Sequence, residues 1–554
     1  MAKGLTYSNA ADYVVVGSGS SGAVVAGRLA QAGHSVIMLE AGKSDDKGIH
    51  GFFTRKPGMI APMHFEERIE RHFDWGYKTV PQAGMAGREM LATRGRVMGG
   101  SGSVNGMIFV RGNRANFDSW AAEGNAGWSA DDVQPAFKRL EDFEDGESAY
   151  RGAGGPIKVT RPKVIQDATQ RFIDATSEVL GVKVLDDYNA AEQEGVARLQ
   201  ENIKDGLRYS ATRGYVHDLA PRFLEVQTET LATKILIEGG RATGVEVLDR
   251  RKKGGGRRTI RAHREVIVAG GFVNSPQLLM LSGIGPSAHL ADHGITCIAD
   301  LPVGDNLHDH LFHPLAFHVP GVQMRSTPAY FVKGLAKNAR GADTFLNHSI
   351  FESIGFVRSS LATDVPDIQL HALPWAYPDP GAGDHGKQRP DPRPALSVFS
   401  TLIYPKSRGT IRLASADPTA APLIDYGYLN EPDDVKVLAE GTEMIREIMA
   451  GAAFGGGVKE EIYPGAAVPK GSDMTDAIRR RSVSVMHAVG SCRMGVDERA
   501  VVGPDLKVRG IDGLRVADAS IMPSITGGNT NAPCYMIGER AADFILDRNT
   551  AHRG

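Results

Sequence analysis

A glycine-rich run, Gly17-Ser18-Gly19-Ser20-Ser21-Gly22, is followed eighteen residues later by Glu40. Glycines at this spacing let a chain turn sharply, bring its backbone against a pyrophosphate and pack a helix closely on a strand. Gly17 is expected at the turn, Gly19 against the phosphates and Gly22 at the helix–strand contact. Glu40 stands where a carboxylate accepts hydrogen bonds from a ribose diol. For proton transfer the sequence offers 17 histidines, and imidazole is the side chain whose ordinary pKa lies near neutral pH. His487 precedes a glycine-containing turn, Ala488-Val489-Gly490. An amide-rich run follows at Thr526-Gly527-Gly528-Asn529-Thr530-Asn531-Ala532-Pro533. An amide is no base, but it orients an oxygen by hydrogen bonding.

These groups need elements to hold them. Tyr13 to Val16 reads as a buried parallel strand, Ala23 to Ala32 as a helix with small residues on its packing face, and Ser35 to Leu39 as a strand ending at the acid. Together they form a dinucleotide-binding unit with phosphates at the positive end of the helix. Further strand signals lie at Thr228 to Leu248, at Glu265 to Gly271, where a strand runs into a glycine turn, and at Gly513 to Asp518. Between them, Asp367 to His371 and Thr410 to Leu413 alternate as strands of another unit. A discontinuous nucleotide-binding domain interleaved with a substrate domain is therefore expected. Pro533 suits a first helical turn, and Met536, Ile537, Ala541, Phe544 and Ile545 form an apolar stripe over Tyr535 to Leu546. Arg250 to Arg258 reads as a solvated hairpin tip, and Pro374 to Pro394 as a long loop.

The chain has 554 residues, 63 basic and 65 acidic, with a net charge of −2. That balance gives no electrostatic case for nucleic acid. No apolar run reaches membrane-spanning length and Met1 to Ala10 lacks a signal-peptide core. Three scattered cysteines, Cys297, Cys492 and Cys534, point to a reducing compartment, taken as the cytoplasm. His308-Asp309-His310 with His313 is the nearest approach to a metal motif; it reads as a structural loop, and no metal is expected.

A second signature, Gly95-Arg96-Val97-Met98-Gly99-Gly100-Ser101-Gly102-Ser103-Val104-Asn105-Gly106-Met107, resembles the first signature of the glucose–methanol–choline (GMC) family of FAD-dependent oxidoreductases. Gly271 to Gly285 resembles the second, with Phe272 where a small residue is usual. Asp74-Trp75-Gly76-Tyr77, Val303 to Leu307, Ser407-Arg408-Gly409, His487 to Gly495 and Asp518-Ala519-Ser520 continue the likeness in the family's order. The continuation Phe109-Val110-Arg111-Gly112-Asn113 is similar to the choline and general alcohol dehydrogenase branch.

The resemblance implies an α/β fold (α+β overall), with a Rossmann-like FAD-binding domain over 1–158, 216–312 and 485–554. A substrate-binding domain on an antiparallel sheet with helices would occupy 159–215 and 313–484. It places Gly17, Gly19, Ser20, Ser21, Gly22, Glu40, Ala41 and the backbone of Ala232 on the ADP half of FAD. Met98, Gly99, Gly100, Ser103, Asn105, Gly106, Asp518, Ala519, Asn529 and Thr530 fall toward the flavin half. The implied reaction is oxidation of a primary or secondary alcohol, with His487 as general base and hydride transfer to flavin N5. By the family's spacing Asn531 completes the pair, with Asn529 as competitor. The helix after Pro533 would point its positive end at the flavin. Val104 stands where some members carry the histidine that bonds FAD, so FAD is expected to be noncovalent. Electrons would leave to a quinone, another carrier or dioxygen; a lyase on the same scaffold is the non-redox alternative. The substrate pocket is expected to draw on Trp75, Phe109, Phe351, Glu352, His371 and Trp375 to Tyr377, and neither choline nor an oligomeric state is inferred.

Overall fold

The computed structural model describes residues 8–251, 256–324, 327–381 and 390–547. Lys252 to Gly255 of the hairpin tip, and 382–389 of the long loop, lie outside the described residues. Two seven-stranded sheets organise the chain.

The first begins with β1 (Ala10–Val16), the glycine loop, helix α1 (Ser20–Gln31) and β2 (Val36–Leu39). Val14, Val15, Ile37 and Met38 are buried, as suits parallel strands covered on both faces. Strands β1 and β2 pair in parallel from Tyr13↔Val36 to Val16↔Leu39. The sheet is completed from distant sequence by β4 (Leu224–Gln227), β5 (Thr230–Glu238), β6 (Arg241–Asp249), β7 (Gly256–Val268) and β14 (Leu514–Val516). Its order is β4-β2-β1-β7-β6-β5, with β14 alongside β7. Strands β1, β2, β4, β7 and β14 form the parallel part, and β5-β6-β7 an antiparallel meander. Strand β7 ends at the glycine turn that starts α4 (Gly271–Leu281).

The second sheet is antiparallel. It uses β3 (Gly195–Arg198), β8 (Leu311–His318), β9 (Ser353–Val357), β10 (Ile368–Leu373), β11 (Ala395–Leu402), β12 (Glu460–Tyr463) and β13 (Val483–Ser484). The order is β12-β8-β11-β10-β9-β3, with β13 on β8. Its middle strands are buried throughout because both faces are covered. Ile368, Leu370, Ala372, Val398 and Leu402 join the core with Leu438 and Ile445 of α5 (Pro432–Ala450). The pleat turns His371, Leu373, Phe399 and Thr401 toward the cavity described below. The short helix α2 (Ile60–Phe65) and the longer α3 (Asp167–Leu180) lie outside the two sheets.

The last helix, α6 (Asn531–Ile545), packs on α1. It starts four residues earlier than the apolar stripe predicts, with Pro533 in its first turn as expected. Glu539 on α6 binds Arg28 of α1, Arg139 and Tyr215, so the two helices nearest the glycine loop are locked together. Among the described residues no helix is long and apolar enough to cross a membrane.

Candidate active site

One cavity of about 1310 Å³ runs from the glycine loop to the second sheet. Single small-ligand pockets are commonly about 300–1,000 Å³, so this one has room for a dinucleotide and a substrate together. Gly17, at φ +103°, makes the turn at its edge, and a Cβ there would lie 2.3 Å from the Ala269 carbonyl oxygen. At Gly22 a Cβ would meet the Gly17 oxygen at 2.1 Å. A Cβ on Gly19 would meet nothing within 4 Å, which leaves that backbone open to a ligand. Glu40 accepts from Ser18 Oγ at 2.5 Å and from the Gly42 amide at 2.7 Å; burial pushes its carboxyl up to about 7. Hydroxyl donors from a ribose would supply what that buried carboxylate lacks. This combination of exposed loop backbone and buried acid fits FAD.

Ser20, Ser21, Ala41, Ala232, Gly100, Asn105, Gly106, Ala519 and Thr530 also line the cavity. Four expected cofactor residues, Gly22, Met98, Gly99 and Ser103, are not on its wall but build the layer behind it. The Gly99 amide donates to the Ser18 carbonyl and Ser103 Oγ to the Met98 carbonyl, which ties the second signature to the glycine loop. Asp518 reaches the cavity with its carboxylate already engaged by the Gly271 amide, Ser275 Oγ and the Ser520 amide. These bonds shape the turn into α4, and Asp518 and Ala519 both line the cavity.

His487 is buried on the cavity wall, and the geometry around it changes one sequence expectation. Asn529, not Asn531, faces it: Asn529 Nδ2 lies 3.1 Å from His487 Nε2, while Asn529 Oδ1 accepts from Gln369 Nε2 at 3.0 Å. Asn531 Oδ1 accepts from Ser20 Oγ at 2.6 Å, and its Nδ2 donates to the Tyr535 hydroxyl at 2.7 Å. Two residues earlier along the loop, the side chain falls on the imidazole; at the first position of α6 it falls on the glycine loop. With Ser21 Oγ on the Cys534 carbonyl, this joins the start of α6 directly to the loop. Asn529, Thr530, Asn531 and Cys534 all line the cavity, so the positive end of α6 faces it.

Three further groups fix His487, none evident from sequence. His310 Nδ1 lies 3.1 Å from His487 Nδ1, and the His310 ring also faces the carbonyls of Ile403 and Thr526. Asn529 Nδ2 can only donate, so His487 Nε2 accepts from it. A neutral His487 then carries its proton on Nδ1, toward His310 Nδ1, and Nε2 presents its lone pair to the Asn529 amide. Asp309 accepts the His487 backbone amide at 2.8 Å, and also Ser484 Oγ and the Tyr428 hydroxyl. Arg94 donates to the carbonyl of Met486, a non-glycine residue held at φ +66°. The His308-Asp309-His310 run thus anchors the imidazole. Burial first, then His310, His371 and Arg94, hold His487 well below the usual imidazole range, so it is neutral at pH 7. Asp45, Asp46 and His217 form the one acid–imidazole group among the described residues close enough to hold a cation, away from this pair; Asp45 there already accepts from Thr212 and His217.

Of the expected substrate-pocket residues, Trp75, Phe351, His371, Trp375 and Tyr377 line the cavity. Phe109 does not; it is fully buried beneath Arg151 and the neighbouring Ile108 reaches the wall instead. Glu352 turns away, accepting from the Gln166 amide and Thr169 Oγ1. Phe272 is accommodated under the Arg94 guanidinium, 4.9 Å from its ring centre.

A profile described as GMC oxidoreductase matches residues 11–312, and a second with the same description matches 405–538. An oxygen-dependent choline dehydrogenase from Brucella ovis is 40% identical over 563 residues, covering 98% of this chain and 97% of that one. Among solved structures, pyridoxine 4-oxidase from "Mesorbium loti" aligns at TM-score 0.85 and 29% identity, over 97% of this chain and 99% of its own. A formate oxidase aligns at TM-score 0.86 and 26% identity, over 98% and 99%.

Proposed function

This chain belongs to the GMC oxidoreductase family, and on that premise we propose that it oxidises a primary or secondary alcohol with His487 as base, Asn529 on the substrate oxygen, and noncovalent FAD as hydride acceptor. Gly17, Gly19, Ser20, Ser21, Glu40, Ala41 and Ala232 would hold the adenosine half, with Gly100, Asn105, Gly106, Ala519 and Thr530 along the flavin half. The two interleaved domains keep the boundaries given above, and the three free thiols suit a reducing cytoplasm.

The observation that carries the reading is the orientation of His487 Nε2. Gln369 turns the Asn529 amide so that its N–H faces Nε2, which leaves the imidazole proton on Nδ1, toward His310. An alcohol hydroxyl entering there donates its proton to Nε2 and accepts from Asn529 Nδ2. The lone pair is available at neutral pH because burial and Arg94 disfavour the imidazolium. The pair holds the oxygen while the proton leaves, which is the positioning that oxidation of the carbinol requires.

Asn529→Ala is expected to slow flavin reduction by about 10²-fold, the typical cost of one positioned donor. Asn531→Ala should change that rate by less than about tenfold and weaken FAD retention instead, because its contacts are Ser20 and Tyr535. Anaerobic rapid mixing with FAD quantitation of each variant separates the two; the reverse pattern would return the role to Asn531. For FAD attachment, Val104 offers no nucleophile. Acid precipitation should release the yellow chromophore to the supernatant, and a yellow pellet would contradict this.

A further inference from the structure

The cavity beside His487 changes character along one sheet face. Gln369 and Thr401 sit with Asn529 at the imidazole end. Beyond them the wall becomes a single apolar cluster that includes Ile60, Phe65, Phe312, Leu373, Trp375 and Phe399. Among the described residues, the carboxylates that reach the cavity lie elsewhere. Glu40 is on the glycine loop side and Asp518 is bonded to Gly271 and Ser275. Glu67, Glu70, Asp74 and Glu89 belong to the segment 67–89, where Glu67 and Glu89 are exposed and Glu70 feels the charge of Asp74. Glu352, the acid closest in sequence to the aromatic Phe351, points to Gln166 and Thr169 instead.

The aromatic rings do not form an open cage. Phe312 and Phe399 stack on each other at 4.4 Å between centres, and Tyr377 meets both edge-on. The faces that Phe312 and Phe399 turn to each other are therefore closed to a cation. The charged groups beside His487 are of both signs, Arg94 on the Met486 carbonyl and Asp309 on the His487 amide, and neither belongs to the apolar wall. A permanent cation seated here would lose its hydration without gaining a counter-charge, whereas an apolar body gains by burial.

We propose that this site takes an uncharged alcohol with an aromatic or branched hydrocarbon body, and discriminates against quaternary-ammonium alcohols. The inference rests on the alcohol-oxidising reading for its hydroxyl and on the wall for its body, and the two fail separately. Choline and 3,3-dimethylbutan-1-ol have the same shape and differ in replacing the nitrogen cation by carbon. Each is titrated anaerobically into the holoenzyme while the flavin spectrum is followed, with benzyl alcohol as a second neutral ligand. A shifted band without bleaching reports binding; bleaching reports oxidation.

The neutral alcohols should act at concentrations on the order of 100-fold below choline, reflecting the unpaired cation. Choline acting at equal or lower concentration overturns the inference, as does the absence of any spectral response to the neutral alcohols. A shift with the neutral alcohols but no bleaching by any alcohol supports the inference and overturns the oxidation reading. As a second arm, Leu373→Glu should narrow the difference between choline and its carbon isostere; an unchanged ratio in a folded, FAD-loaded variant counts against the wall as the cause.

Discussion

Replacing His487 with alanine lowers the anaerobic rate of flavin reduction by about 10²–10⁴-fold, the usual contribution of a positioned acid–base group. FAD content should stay near that of the parent protein, because the bonds of the proposed cofactor residues, within 17–41, 98–106 and 518–519, do not pass through this imidazole. The variant also separates chemistry from binding. Neutral ligands should still perturb the flavin spectrum, since the apolar wall is intact. His487→Gln keeps a hydrogen-bonding group beside Asn529 and should be as slow as alanine in proton removal, because an amide accepts a hydrogen bond but not a proton at neutral pH. Reduction at the parent rate in both variants would remove His487 from the mechanism.

The second large effect concerns the frame. Glu539→Ala should cost roughly 3–5 kcal/mol, the range for breaking a buried ion pair from one side. Glu539 is 1% exposed and accepts from Arg28 on α1, from Arg139 and from Tyr215. Burial alone pushes its carboxyl up, but the two guanidiniums and the tyrosine carry it below the ordinary carboxylate range. A depressed folded pKa means that this stabilisation is complete above the unfolded value and is lost as pH falls through the folded one. Because α6 begins beside Ser20 and the Asn529 loop, the same change should loosen FAD. Thermal unfolding followed by flavin fluorescence should show the midpoint falling by several degrees; an unchanged midpoint would show that Arg28 and Arg139 find other partners.

The strand–turn–helix–strand unit proposed to hold the dinucleotide was legible because it is local. Gly17, Gly19, Gly22 and Glu40 act through one turn and its flanking strands, and spacing along the chain equals spacing in the fold. The interleaving of two units was legible for a related reason, since strand signals near 230–270 and 514–516 have to join the first unit to bury their faces. The family's spacing favoured Asn531 over Asn529, whereas the Asn529 side chain is the one that meets His487. Both lie in one short run, and which amide meets His487 depends on where α6 starts and on Gln369, which is 160 residues from Asn529 in sequence. His310, Asp309 and Arg94 carry no local signal either. Their function arises from the residues leading into β8, and from Arg94, meeting the 484–487 turn across 175 or more residues. Phe109 and Glu352 were misplaced because an aromatic or acidic residue type does not reveal the face of the strand or loop it occupies. The inward side was taken instead by Ile108 and Phe351.

The central claim is that a neutral His487, paired with Asn529, takes the proton of an uncharged alcohol as FAD is reduced. Anaerobic mixing of the holoenzyme with a series of neutral primary alcohols, followed by visible absorbance, tests it most directly. Bleaching of the flavin by at least one of them, with the rate reduced by about 10²–10⁴-fold in His487→Ala, is the expected result. A flavin that stays oxidised with every alcohol, or that bleaches equally fast without His487, would contradict it.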